Sequence, residues 1–275
     1  MTLAAKASAA EWLATARAAA RQPPAQARQP LWVAGQAVGS VAEGVLSQID
    51  LWRLSGRRYQ LLNQEHGGVP MWHLDVAPDA VTPALNLLAQ ALRAQGQCGP
   101  WRDEQLAVCN AHGERLGTIE RGAVRVLGIA TRAVHLVGRA PDGRIWVQQR
   151  SKTKPNNPGM WDTLMGGMVS AADTLQQALE RETWEEAGLR LPALHGVARG
   201  GQVDFSRPSR EGGGVGYMVE RIDWFRCTVP EGLEPRNQDG EVDEFRLMTR
   251  DELLARLQRD EFTLEAALML CAAGV

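Results

Sequence analysis

Three glutamates lie close together in the second half of the chain: Glu182, Glu185 and Glu186. In a helix, spacings of three and four residues place all three carboxylates on one face. Like charges at these spacings destabilise an isolated helix by roughly 0.2–0.5 kcal/mol per pair. A divalent cation such as Mg²⁺ would compensate, because it takes oxygen ligands from a few carboxylates. The glutamates alone also fit a solvated acidic face, so the flanking residues must decide between a metal site and a surface helix.

The flanking residues predict the helix that this metal site requires. Thr174 can cap its start with Gln177 at the third position, and Gly188 stands where a left-handed residue ends a helix. The sequence therefore predicts a helix over residues 175–186. Side chains at steps of four form a separate stripe that can pack against a sheet: Leu175, Leu179, Thr183 and Ala187.

The same segment resembles the Nudix box: Gly, five residues, Glu, seven residues, then Arg-Glu-aliphatic-x-Glu-Glu-x-Gly-aliphatic. Two positions depart from the pattern, since Asp173 stands where the family has Glu and Thr183 where it has an aliphatic residue. At ordinary residue frequencies such a match has a chance probability on the order of 10⁻⁵. The residues in register are Gly167, Arg181, Glu182, Glu185, Glu186, Gly188 and Leu189.

The resemblance implies a site for Mg²⁺ or Mn²⁺. Its implied ligands are the three glutamates of the helix, with Glu220 as a further candidate. Arg181 is expected to orient the glutamates, and Gly166 and Gly167 to let the backbone pass close to the catalytic helix and the substrate phosphates. Hydrolysis also needs a carboxylate that orients or deprotonates water. The sequence leaves Glu185, Glu220 and Glu241 open for that role.

A basic segment precedes the box and indicates how a diphosphate could be held. Arg150 offers a planar fork and Lys154 a mobile charge, although both would also be ordinary at a solvated loop. Trp161 follows them and could stack on a heteroaromatic ring, while a core role is the more common one for a tryptophan. We therefore predict that the substrate is a small-molecule diphosphate.

Two Nudix branches resemble the chain beyond the box. One is isopentenyl-diphosphate isomerase, but its chemistry needs cysteine and histidine near the start of the box, and residues 164–168 contain neither. The other is the branch related to thiamin pyrophosphokinase, which has an additional N-terminal domain of uncertain role. The elements that carry this second resemblance are Arg150–Lys154, Pro158–Asp162, Asp239–Val242, Trp101–Glu104, Ile119–Arg121 and Leu127–Ile129.

The second branch implies hydrolysis of thiamin diphosphate, or of its oxidised or deaminated analogues, to the monophosphate and phosphate. Three alternatives stay open. The first is a Nudix hydrolase of another nucleoside diphosphate-linked compound. The others are the isomerase and a catalytically silent Nudix module that binds a ligand or partner. The intact glutamates argue against a silent module.

The fold expected from pattern and resemblance is α+β in two domains. Residues 129–275 should form a Nudix α/β/α sandwich with a mixed sheet, and residues 1–128 a smaller α+β domain. In the N-terminal part the patterns predict a helix over 8–21, a strand over 51–54 and a helix over 79–95.

Composition limits the other function classes. With 30 basic and 32 acidic residues the net charge is −2, which favours neither nucleic acid nor an anionic membrane as a partner. The four cysteines are scattered without C-x-x-C spacing, and the first 20 residues contain no apolar core of a secretory signal. The sequence thus predicts a cytoplasmic protein, and it does not determine the oligomeric state.

Overall fold

The computed structural model describes residues 9–275. The predicted helix over 8–21 begins at residue 8, which lies outside the described residues. The helices are α1 (Ala9–Ala20), α2 (Leu51–Leu54), α3 (Val81–Ala94), α4 (Leu175–Ala187), α5 (Arg250–Leu257) and α6 (Leu264–Ala272). The strands of the N-terminal half, residues 28–128, are β1 (Arg28–Val33), β2 (Gln36–Ala42), β3 (Gln60–His66), β4 (Val69–Asp75), β5 (Gln105–Cys109) and β6 (Arg115–Glu120). Those of the C-terminal half, residues 129–275, are β7 (Ala130–Arg139), β8 (Ile145–Arg150), β9 (Trp161–Asp162), β10 (Met165–Met168), β11 (His195–Ser209), β12 (Gly216–Thr228) and β13 (Val242–Met248).

The C-terminal half is built on a seven-stranded sheet. Its main path runs β11-β12-β7-β8-β13, with β10 also paired to β7 and β9 to β8. Strands β7 and β12 are parallel, whereas the other pairs are antiparallel. The predicted mixed sheet is therefore confirmed.

Alternation along β7 divides the core of this half into two layers. Val134 and Leu136 join the apolar cluster that includes residues of α4, while Ala133 and Val137 join the cluster that includes residues of α1 and α6. Successive strand residues point to opposite faces, so one strand supports both layers. The result is the predicted sandwich, with α4 on one face of the sheet and α1, α5 and α6 on the other.

The N-terminal half has a four-stranded sheet of order β2-β1-β4-β3, the helix α3 and the hairpin β5–β6. Its apolar cluster runs from Leu31 to Ile129 and includes one residue from beyond that range, Met168. The strand predicted over 51–54 was wrong, because these residues form the short helix α2. The Asp50 side chain caps that helix by accepting from the backbone N–H of Arg53 at 3.0 Å.

The two halves are in direct contact. Arg115 Nη1 donates to the carbonyl of Ala171 at 2.7 Å, and the backbone N–H of Tyr217 donates to the carbonyl of Arg125 at 2.7 Å. Helix α1 packs with α6 and β11 in the C-terminal half, although it lies before the N-terminal sheet in sequence. The domain boundary near residue 128 stays a prediction. None of the helices in the described part of the chain combines the length and hydropathy needed to cross a membrane.

Candidate active site

Helix α4 presents the three glutamates as the sequence predicted. Thr174 Oγ1 accepts from the backbone N–H of Gln177, and the Gln177 side chain accepts from the backbone N–H of Thr174, which completes a capping box. At the other end Gly188 has a φ of 62° and donates its N–H to the carbonyls of Thr183 and Trp184. Local signals thus define both ends of the helix.

The apolar stripe of α4 seats the helix on the sheet. Leu179, Thr183 and Ala187 are fully buried, and Leu175 packs at the edge of the same cluster. Thr183 stands where the family has an aliphatic residue, and its buried hydroxyl has no hydrogen-bond partner. The stripe therefore packs against the sheet through the shape of its side chains, since the Thr183 hydroxyl contributes no hydrogen bond.

Arg181 organises one side of the carboxylate group. Its Nη1 donates to Glu182 Oε1 at 2.8 Å and to Glu185 Oε2 at 3.0 Å. Its Nε and Nη2 both donate to Asp173 Oδ2, at 3.0 and 2.8 Å. Asp173, which stands where the Nudix box has Glu, thereby holds the arginine. The arginine in turn holds two glutamates. This geometry agrees with the orienting role that the resemblance implies for Arg181.

Glu186 is held from the opposite side and is 2% exposed. Its Oε2 accepts from the backbone N–H of Gly166 at 3.0 Å and from Gln148 Nε2 at 2.8 Å. Lys154 Nζ lies 3.2 Å from Glu186 Oε1 and also pairs with Glu241. Gln148 was not predicted as a site residue. A polar side chain inside a buried strand was the available signal.

Glu182 lies directly against the backbone of β10. Burial, together with the negative charge of Glu186, raises the pKa of Glu182 to about 8. A Cβ atom added to Gly167 would lie 2.0 Å from the carboxyl carbon of Glu182. A side chain at position 167 would therefore displace the carboxylate of Glu182, which occupies that space.

Replacing Gly167 by alanine is expected to lower kcat by about 100-fold, since a displacement of about 1 Å in a catalytic group can cost that much. The measurement is steady-state hydrolysis with Mg²⁺, with the fold checked by circular dichroism. Shortening the opposing side chain in the double variant Gly167→Ala/Glu182→Asp should not restore full activity but should recover thermal stability. Wild-type kcat in a folded Gly167→Ala protein would show that this contact does not position Glu182.

Glu220 is held in a buried ion pair across the two halves. Its Oε2 accepts from Arg125 Nη2 at 2.7 Å and from Thr131 Oγ1 at 2.8 Å, and the side chains of Glu220 and Arg125 are 6% and 11% exposed. Burial alone would raise the pKa of Glu220, but Arg125 and Thr131 outweigh burial and lower it. Arg125 and Thr131 therefore already engage one oxygen of this carboxylate.

Glu241 joins the glutamates of α4 through Lys154 and is 42% exposed. Burial alone would raise its pKa, but the hydrogen bond from Lys154 and the charges of Arg102 and Arg121 outweigh burial and lower it. The backbone of the same residue accepts from the N–H of Ser151 at 2.9 Å, so the loop after β8 and the loop before β13 are tied together. Glu241 is thus an ionised carboxylate at the edge of the site.

The other predicted substrate residues are engaged within the protein. Arg150 Nη1 donates to Asp162 Oδ2 at 3.3 Å, and Nη2 donates to the carbonyl of Asn156 at 3.1 Å. Trp161 is 5% exposed in the core, with the guanidinium groups of Arg246 and Arg256 5.1 and 5.4 Å from its ring centre. Neither residue offers a free surface to a diphosphate or a heteroaromatic ring in this conformation.

The donor chemistry fits a hard divalent cation. Five carboxylates (Asp173, Glu182, Glu185, Glu186 and Glu241) share two cations, Arg181 and Lys154. Carboxylate oxygens are the ligands that Mg²⁺ and Mn²⁺ prefer, and the excess negative charge favours a cation. Within residues 9–275 no three acidic, histidine or cysteine side chains are arranged as a ready-made metal site. The donors are therefore present but are turned toward Arg181 and Lys154.

A model of the Nudix domain family matches residues 130–268, which is half of the chain. The chain belongs to the Nudix family. The prediction from the box is thereby confirmed, and residues 130–268 are called the Nudix domain from here on. Enzymes of this family generally use divalent metal ions.

Two curated relatives resemble the chain over somewhat more than half of its length. An uncharacterized protein of Saccharomyces cerevisiae, YJR142W, is 26% identical over 62% of this chain and 53% of its own length. The chloroplastic Nudix hydrolase 20 of Arabidopsis thaliana is 28% identical over 53% of this chain and 38% of its own length. The chain therefore spans about half or less of each of these curated relatives. The crystal structure of DR0079 from Deinococcus radiodurans is 22% identical, covering 60% of this chain and 98% of that one, with a TM-score of 0.47.

Proposed function

We propose that this protein hydrolyses a diphosphate linkage with the help of Mg²⁺ or Mn²⁺ bound at α4. The observation that carries the proposal is the arrangement of three glutamates on one helix face, two aligned by Arg181 and one by Gly166 and Gln148. Membership of the Nudix family supports the same reaction class.

The bound cation would neutralise charge on phosphate oxygens and lower the pKa of a water molecule. Glu182, Glu185 and Glu186 would hold it through their carboxylate oxygens. Arg181 keeps Glu182 and Glu185 in register, because one nitrogen of its guanidinium contacts both. The N–H of Gly166 fixes Glu186 from the strand side. Such fixed polar groups need little reorganisation during reaction, which is the main requirement for electrostatic stabilisation.

Two carboxylates are accessible enough to orient the attacking water and accept its proton. The side chains of Glu185 and Glu241 are 41% and 42% exposed, and both lie beside the buried carboxylates of α4. The carboxylate of Glu220, by contrast, is engaged with Arg125. We therefore propose Glu185 or Glu241 as the general base, acting at a carboxylate oxygen.

For the substrate we propose thiamin diphosphate, or its oxidised or deaminated analogues, converted to the monophosphate and phosphate. The support is the resemblance in Arg150–Lys154, Pro158–Asp162 and Asp239–Val242. Lys154 contacts Glu186, and Asp239–Val242 contains Glu241. Another nucleoside diphosphate-linked compound is the alternative substrate, and it uses the same carboxylates.

The deciding experiment is a substrate comparison with Mg²⁺ and with Mn²⁺, with the products separated by chromatography. We expect higher kcat/KM for thiamin diphosphate compounds than for ADP-ribose, nucleoside triphosphates or dinucleoside polyphosphates, and no turnover in EDTA. A tenfold preference for ADP-ribose or a nucleotide over every thiamin compound would overturn the proposed substrate but not the proposed reaction. Absence of turnover with every diphosphate would overturn the reaction itself.

A further inference from the structure

A cavity of about 80 Å³ lies where the N-terminal half meets the Nudix domain. Three arginines of the N-terminal half line it: Arg102, Arg121 and Arg125. The Nudix domain contributes Asn156, Met168 and Glu211. Arg121 is paired with Glu104 and Arg125 with Glu220, so the guanidinium of Arg102 is the positive charge of this lining that is left for an anion.

This cavity adjoins the carboxylates of the active site. Burial alone would lower the pKa of Arg121, but the charges of Glu104, Glu182 and Glu220 outweigh burial and raise it. Met168, which lines the cavity, directly follows Gly167 in β10, and its carbonyl accepts from Arg181 Nη2 at 3.3 Å. The cavity therefore borders the strand β10, whose Gly167 packs against Glu182.

The loops that carry two of these arginines are held in place by Glu120, which is 1% exposed. Its Oε1 accepts from the backbone N–H of Arg102 at 2.8 Å and from that of Gly122 at 3.2 Å. A Cβ atom on Gly122 would lie 2.9 Å from the carbonyl oxygen of Pro100, so the two loops pack closely. Hydrogen bonds and close packing of the two loops thus fix the backbone at Arg102 and Arg121.

Arg102 and Arg121 are the donors most available to a ligand. The exposed guanidinium of Arg102 forms no hydrogen bond or ion pair with any residue from 9 to 275. Arg121 Nη1 pairs with Glu104 Oε2 at 2.7 Å, in a contact where the side chains are 36% and 23% exposed. Arg150 and Lys154, by contrast, are engaged with carboxylates of the Nudix domain. A guanidinium offers a planar set of donors that matches phosphate oxygens.

We propose that Arg102 and Arg121 bind one phosphate group of the diphosphate substrate in this cavity. The N-terminal half would then supply hydrogen-bond donors to the substrate of the Nudix domain. The inference rests on the proposed function, which places the other phosphate beside the glutamates of α4. It also gives a role to Trp101–Glu104 and Ile119–Arg121, whose resemblance to the thiamin-related branch had no assigned purpose. Glu211 opposes the anion, and Asn156 Nδ2 donates to Glu211 Oε1 at 3.3 Å.

The test uses the full chain with Mg²⁺ and two readouts: the Kd of imidodiphosphate by titration calorimetry, and kcat and KM for the best diphosphate substrate. We expect Arg102→Ala and Arg121→Ala each to raise Kd and KM about tenfold and the double variant more, since a hydrogen bond to a charged group is typically worth a factor of this size. Glu211→Gln is expected to lower Kd. Arg58→Ala is the matched control, because Arg58 is an exposed arginine of the same half outside the cavity.

The outcomes separate this inference from the proposed function. Unchanged Kd and KM in the folded double variant, or no binding of imidodiphosphate by the wild type, would overturn the phosphate site, while turnover that depends on Glu186 would still stand. Arginine-dependent binding without turnover of any diphosphate would support the phosphate site and overturn the hydrolase. Should the double variant unfold, the result for Arg102→Ala is decisive, since that side chain has no hydrogen-bond or ion-pair partner among residues 9–275.

Discussion

Glu186→Gln is expected to lower kcat/KM by at least about 100-fold, because loss of a direct metal ligand should exceed the 10–100-fold effects of residues that merely support ligands. The fold should survive. The amide oxygen can still accept from Gly166 and Gln148, and the repulsion between positions 182 and 186 is relieved. The loss of the Lys154 pair acts in the opposite direction, so we expect a change in Tm within about 4 °C. Activity is measured over a range of Mg²⁺ and Mn²⁺ concentrations.

The matched control lies on the same helix. Glu180 is exposed, and among the described residues its side chain accepts a hydrogen bond only from Gln176, at 3.0 Å, so Glu180→Gln should leave kcat/KM unchanged. Glu185→Gln should resemble Glu186→Gln in activity, with even less effect on stability, because the Glu185 side chain is 41% exposed. Full turnover by Glu186→Gln in EDTA would show that the glutamates of α4 take no part in catalysis.

Glu220→Ala is expected to reduce the free energy of unfolding by about 3–5 kcal/mol, the usual cost of leaving one partner of a buried ion pair uncompensated. Arg125 would lose its carboxylate partner while its side chain stays 11% exposed, and Thr131 would lose an acceptor. Denaturation by guanidinium chloride measures the change. The double variant Arg125→Met/Glu220→Met should recover most of the loss, since apolar replacements of a buried pair are often neutral or stabilising.

A more exposed ion pair provides the comparison for Glu220. Glu104→Ala breaks the Arg121–Glu104 pair, whose side chains are 36% and 23% exposed, and it should cost no more than about 1 kcal/mol. If Glu220→Ala instead leaves stability intact and weakens Mn²⁺ binding, then Glu220 is a metal ligand, as the sequence predicted.

Features that depend on neighbouring residues were predictable from the sequence. The capping box at Thr174, the left-handed Gly188 and the common face of the glutamates all follow from spacing within one helix, and the structure agrees at each position. The wrong prediction of a strand over 51–54 also has a local cause, because apolar residues beside Asp50 fit either a strand or a capped turn. A period-based prediction cannot separate these possibilities over four residues.

Contacts between distant segments were not predictable. Glu220 and Arg125 lie 95 positions apart, and nothing in the local sequence of either residue indicates the other. From the sequence, Glu220 is a candidate metal ligand or base and Trp161 a candidate stacking surface, because burial is a property of the folded molecule. In the structure the aromatic ring packs beside Arg246 and Arg256, and the carboxylate pairs with an arginine of the other half.

The family and its metal-binding chemistry therefore follow from one short segment, because a helix of fixed pitch converts residue spacing directly into geometry. Which basic side chains lie near the glutamates depends on the tertiary structure. Lys154 and Arg150, adjacent to the box in sequence, are neutralised by carboxylates that packing brings to them. Arg102 and Arg121, remote in sequence from the box, line a cavity with Met168 because the two halves of the molecule meet there. Charge acts through space, and only the packing of the chain determines which charges become neighbours.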